Sequence, residues 1–83
     1  MRALEARKIP IAEYLAREGV TPRAVRKGGR ELWYQSPIRS GDTSPSFKVD
    51  TAKNLWFDHG AGRGGNVIDL VCDLRRVTVA EAL

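Results

Sequence analysis

Trp33, Lys48 and Trp56 fall in three short stretches of apolar, aromatic and β-branched residues. An indole beside a basic side chain on a sheet surface suits single-stranded nucleic acid, because bases stack on the ring while the cation holds phosphate. The competing reading of the two tryptophans is that they are core, or pack beneath the N-terminal helix. The run Gly60-Ala61-Gly62-Arg63-Gly64-Gly65 is a second candidate, since glycines leading into a helix let backbone N–H groups approach an anion. Its spacing matches neither the nucleotide-triphosphate loop nor the dinucleotide fingerprint, and a tight strand-to-helix turn is the other reading.

Nothing in the chain forms a catalytic constellation. His59 has no nucleophile beside it in sequence and is read as capping or packing its turn. Cys72 is the single cysteine, so an internal disulfide is excluded, and one cysteine with one histidine falls short of the four ligands of a structural zinc site. It reads as a small buried hydrophobe beside Ile68. Asp69 and Asp73, one helical turn apart, read as a solvated face. The chain is therefore read as a binding module and not an enzyme.

The elements that must position these residues follow from local pattern. Pro10 suits a first helical turn, Ile11, Tyr14 and Leu15 share one face, and Gly19 ends a helix that reaches Glu18. Residues 2–7 could add a short turn. Val20 to Lys27 reads as extended, and Gly28-Gly29 turns the chain into a strand over Glu31 to Gln35. A loop dense in turn formers covers Ser36 to Pro45. Strands over Ser46 to Asp50 and Asn54 to Asp58, joined by Thr51-Ala52-Lys53, complete an antiparallel meander. Alternation then puts Phe47 and Val49 with Leu55 and Phe57 on an inner face, joined by Leu32 and Tyr34, and leaves Trp33, Lys48 and Trp56 opposite. The glycine run breaks the sheet. A helix capped by Asn66 follows, with Val67, Leu70, Val71 and Leu74 as its apolar stripe, and Thr78 with Glu81 has the form of another capping box. The class is α+β: a small antiparallel sheet with a helix before it and helices after it.

Length and charge limit what such a module can be. Eighty-three residues make one domain, spanning 1–83, and the apolar stretches are far below the roughly 18 residues needed to cross a bilayer. No membrane partner is expected, and with no secretory signal the expected location is cytoplasmic. Fourteen Lys and Arg against ten Asp and Glu give a net charge of +4, which favours an anionic partner. The capping signal at Thr78, so close to Leu83, predicts that the domain is the N-terminal part of a longer protein.

Leu32 to Leu70 carries Ser36-Pro37-Ile38-Arg39, Thr43-Ser44-Pro45-Ser46-Phe47-Lys48-Val49 and Asp58-His59-Gly60-Ala61-Gly62-Arg63-Gly64-Gly65-Asn66. In order and spacing these resemble the N-terminal zinc-binding domain of bacterial DnaG-type DNA primases. That family's pattern runs Cys-Pro-Phe-His, then Thr-Pro-Ser-Phe-x-Val, then Cys-Phe-x-Cys-Gly-x-x-Gly-Asp/Asn ahead of a hydrophobic helix. The resemblance implies a zinc-ribbon-like sheet that takes part in template recognition, with Trp33, Arg39, Lys48, Lys53, Trp56 and Arg63 as the contact residues, single-stranded DNA as partner and a catalytic primase domain or helicase nearby. Metal-free relatives of this kind occur in primase- or mobilisation-type proteins of mobile elements and phages.

This chain departs from the pattern at the metal. The four positions that the resemblance marks as zinc ligands are Ser36, Arg39, Asp58 and Ala61; of these only aspartate is an ordinary ligand, so no zinc or other cofactor is expected. An Arg39–Asp58 ion pair with Ser36 hydrogen-bonded beside it is the expected substitute. The leading expectation is thus a metal-free, primase-type module that engages single-stranded template DNA. The alternative is a protein-docking module of a replication or mobilisation complex that has lost both zinc and DNA binding.

Overall fold

Pro10, with its fixed φ and no N–H to leave unsatisfied, stands immediately before the first helix among the described residues, α1 (Ile11–Arg17). The structure, a computed structural model, describes residues 8–39, 45–76 and 80; the predicted turn over 2–7 and the Thr78–Glu81 cap lie outside them. Gly19, at φ +79°, ends α1 as expected. Pro10 has no side-chain cap to offer, and Asn54 supplies one from a distant turn: its Oδ1 accepts from Ile11 N–H at 2.8 Å and its Nδ2 donates to the Ile9 carbonyl at 2.8 Å.

The sheet is an antiparallel meander of β1 (Ala24–Arg26), β2 (Glu31–Tyr34), β3 (Phe47–Asp50), β4 (Leu55–Asp58) and β5 (Arg63–Gly65), in spatial order β1-β2-β3-β4-β5. The fifth strand corrects the expectation that the glycine run breaks the sheet. Gly62, at φ +72°, turns the chain back along β4, and Gly64 pairs with Phe57. A side chain at Gly64 would run into the Trp56 carbonyl and the Phe57 ring, so glycine is what lets this edge close against β4.

Helix α2 (Val67–Arg75) begins at the predicted cap. Asn66 accepts from Asp69 N–H at 3.0 Å while the Asp69 carboxylate accepts from Asn66 N–H at 2.9 Å, a reciprocal capping box. Asp69 and Asp73 are therefore not merely solvated: one caps the helix and the other pairs with Arg63 at 3.2 Å. Both helices cover the same face of the sheet. Ile11 and Leu15 of α1 and Val67, Ile68 and Leu70 of α2 are buried with Tyr34, Phe47, Val49 and Trp56, and Cys72 packs at the margin of this core. No helix among the described residues is long and apolar enough to cross a membrane.

The register moves Trp56 to the other side from the one predicted. The β3–β4 connection has four residues, Thr51 to Asn54, and not three, because Asn54 adopts the left-handed conformation (φ +54°) before the strand resumes. Asp50 then pairs with Leu55, Val49 with Trp56 and Lys48 with Phe57. A one-residue change in register exchanges the two faces of a strand. Trp56 is 3% exposed, stacks on Phe47 at 5.2 Å between centroids, and donates from Nε1 to the Asn66 carbonyl at 2.8 Å. Leu55 and Phe57, predicted inside, are 44% and 40% exposed.

Candidate nucleic-acid interface

The face of the sheet away from the helices is built from the residues that alternate with the core residues along each strand. Ala24 lies opposite Trp33, Trp33 opposite Lys48, Lys48 opposite Phe57, and Phe57 opposite Gly64, so one row crosses all five strands. The Lys48 ammonium stands 6.0 Å from the centroid of the Trp33 ring, near the outer limit of a cation–π contact. His59, just past β4 and exposed, continues the same side: its ring stacks on Trp33 at 5.5 Å and 16°, and meets Phe57 at 4.9 Å and 69°. Three rings and a cation thus share one surface. Such a surface offers π faces to bases and a positive charge to the strand that carries them.

The acidic groups that share this side are already engaged. Asp50 Oδ1 accepts from the Ala52 and Lys53 N–H groups, both at 3.0 Å, and these bonds hold its carboxyl below the ordinary aspartate range. Glu31 pairs with Lys27 at 3.2 Å and its carboxyl is likewise held low, first by the lysine's hydrogen bond.

At one end of the sheet the four positions of the Cys/His pattern converge on a single carboxylate. Asp58 has no exposure to water. It accepts from Ser36 Oγ at 2.6 Å, from Arg39 Nη2 at 2.9 Å and Nε at 3.1 and 3.2 Å, and from the backbone N–H groups of Gly60 (2.9 Å) and Ala61 (3.1 Å). Arg39 Nη2 also donates to Ser46 Oγ at 2.7 Å, and the guanidinium lies so close over Gly60 that a β-carbon there would strike it. Burial alone would push the Asp58 carboxyl up, but the hydrogen bonds from Arg39, Ser36 and Ala61 outweigh it and hold the group below its ordinary value. A zinc ion does not fit this set. The guanidinium fills the space with positive charge, the Ala61 side chain has no donor atom, and among the described residues no three His, Cys, Asp or Glu side chains converge.

The same geometry answers the glycine-run expectation. The N–H groups of Gly60 and Ala61 point at an anion, and that anion is Asp58 of the chain itself. Of the six residues predicted to contact nucleic acid, Trp33 and Lys48 stand together on the exposed face. Trp56 is in the core. Arg39 is committed to Asp58 and Ser46, Arg63 reaches Asp73 on the helix-covered side, and Lys53 sits in the β3–β4 turn, past the ends of those strands and off the row. Phe57 and His59 were not among the six, although residues 55, 57 and 59 share one parity; the hairpin length decided which parity faced out.

No family model matches the sequence, and no curated protein matches it. Among solved structures, the crystal structure of the Aquifex aeolicus primase, comprising its zinc-binding and RNA polymerase domains, is similar to this chain with a TM-score of 0.74 and 27% sequence identity. The likeness covers 93% of this chain and 18% of that one. The five-stranded antiparallel sheet with its flanking helices thus has the zinc-ribbon-like fold of a primase zinc-binding domain.

Proposed function

We propose that this domain is a metal-free, primase-type module that holds single-stranded template DNA on the exposed face of its sheet and catalyses no reaction itself. One observation carries the reading: Trp33, Lys48 and Phe57 stand in a single cross-strand row, with the exposed His59 ring stacked on Trp33. The likeness to a primase, the net charge of +4 and the engagement of nearby carboxylates support it. In this reading the module presents template to a catalytic primase domain or works beside a helicase, in the cytoplasm, as one part of a longer primase- or mobilisation-type protein of a mobile element or phage. Where the Aquifex protein has a zinc-binding domain, the Asp58 cluster holds the ribbon closed here.

The exposed Leu55 and Phe57 favour a second reading, in which the same face docks a protein of the replication complex. Binding of a labelled single-stranded oligonucleotide separates the two. Trp33→Ala, Phe57→Ala and Lys48→Ala should each weaken binding, the aromatic losses by about fivefold or more, whereas Arg63→Ala should change it little. A folded wild-type domain that ignores the oligonucleotide at low salt would leave only the docking reading.

A further inference from the structure

The side of Trp33 towards β3 and β4 carries Lys48 and His59, whereas the side towards β1 leaves a hollow among the described residues. There, Ala24, Arg26, Trp33 and Pro45 line a groove of about 260 Å³. Three of these walls are apolar, a methyl group, an indole and a proline ring, and the fourth residue supplies a guanidinium. Arg26 lies two residues beyond Ala24 on β1 and so projects on the same side of the sheet. Its side chain is exposed and makes no ion pair or hydrogen bond with another described residue; Glu31, its cross-strand partner, is taken by Lys27. The groove is smaller than the roughly 300–1,000 Å³ pockets that enclose a drug-sized ligand, and its dimensions suit a single ring system.

We propose that this groove seats one nucleotide of the bound strand, with its base against Trp33, Ala24 and Pro45 and its phosphate on Arg26. The proposal rests on the single-stranded DNA reading and deepens it. Bases need a flat apolar wall and phosphates need a cation within one nucleotide of it. The groove provides both on adjacent residues, and Trp33 is the wall it shares with the Lys48 and His59 side. A strand crossing the face would thereby run from β4 towards β1, perpendicular to the sheet strands, with Trp33 at its middle.

The test uses fluorescence anisotropy with an oligothymidylate and with the same strand carrying abasic sites. Arg26→Ala should lower affinity for both strands and reduce the log–log salt slope by about 0.7, one phosphate contact on a single strand. Ala24→Leu, which fills the groove and leaves every charge in place, should cut the preference for the base-bearing strand over the abasic one by about fivefold or more. If both variants bind as wild type while Trp33→Ala and Lys48→Ala do not, the groove assignment is wrong and the DNA reading stands. If the folded wild type binds neither strand, both fall. Circular dichroism and thermal melting establish that each variant is folded, and Arg26→Ala changes an exposed side chain, so it tests the proposal even if Ala24→Leu perturbs the edge strand.

Discussion

Asp58 takes a negative charge to a place with no access to water, and the chain surrounds it with five donor groups from Ser36, Arg39, Gly60 and Ala61. Removing one partner of a buried pair costs more than the pair contributes, because the other charge is left unmatched; such losses are about 3–5 kcal/mol. Arg39→Ala should therefore cost about 3 kcal/mol, the low end because its side chain keeps 30% exposure. In a domain of this size that is a fall in melting temperature of roughly 12 °C or more. Adding Asp58→Asn to that variant should recover part of the loss, since it removes the orphaned charge; equal or greater loss in the double variant would contradict the assignment. The direction of the Asp58 shift fixes the pH dependence as well. Its folded value lies below the unfolded one of about 4, so its contribution is complete above that pH and is lost as pH falls through the folded value. Melting curves should hold steady from neutral pH to about 5 and then drop, and Asp58→Asn should flatten the drop.

At the scale of elements, one turn residue sets both the register of the central hairpin and the seating of the first helix. Asn54 takes the left-handed conformation that Asn tolerates better than most residues, and its amide then bonds Ile9 and Ile11 on either side of Pro10. Asn54→Ala should lose a cap and add left-handed strain, costing about 1–2 kcal/mol. Thermal melting would register this, and amide exchange should quicken first in α1. Asn54→Gly should recover the strain component and not the cap. This residue also marks the limit of what local pattern could tell. The two helices, the Asn66 cap, the meander and the Arg39–Asp58–Ser36 cluster were legible because proline, glycine and Asn66 act locally, and because the resemblance aligned the cluster's positions. Which side Trp56 faces was not. It depends on a single added residue in a turn, and a tryptophan satisfies either face until the partner strand is in place. The fifth strand escaped for a related reason: Arg63-Gly64-Gly65 has no β propensity of its own, and it is a strand because β4 leaves an edge that only glycine can approach.

For the molecule as a whole, the fold divides its labour between the two faces of one sheet. The helix-covered face and the Asp58 cluster hold the ribbon shut, and the opposite face keeps Trp33, Phe57, His59 and Lys48 at the surface. Because the cluster is made of side chains and backbone amides, chelator should leave the melting temperature of tag-free protein unchanged, whereas a zinc-dependent ribbon would melt earlier. Stoichiometric, chelator-sensitive zinc would contradict the cluster's role. The two faces together make the proposed module, a ribbon closed without metal whose open face binds single-stranded DNA. Its most direct test is a titration of labelled single-stranded oligonucleotide in excess EDTA at a series of salt concentrations. Binding should survive EDTA and weaken with salt, the log–log slope being about 0.7 for each phosphate held. A folded domain that fails to bind at low salt, or whose binding disappears with chelator, would contradict it.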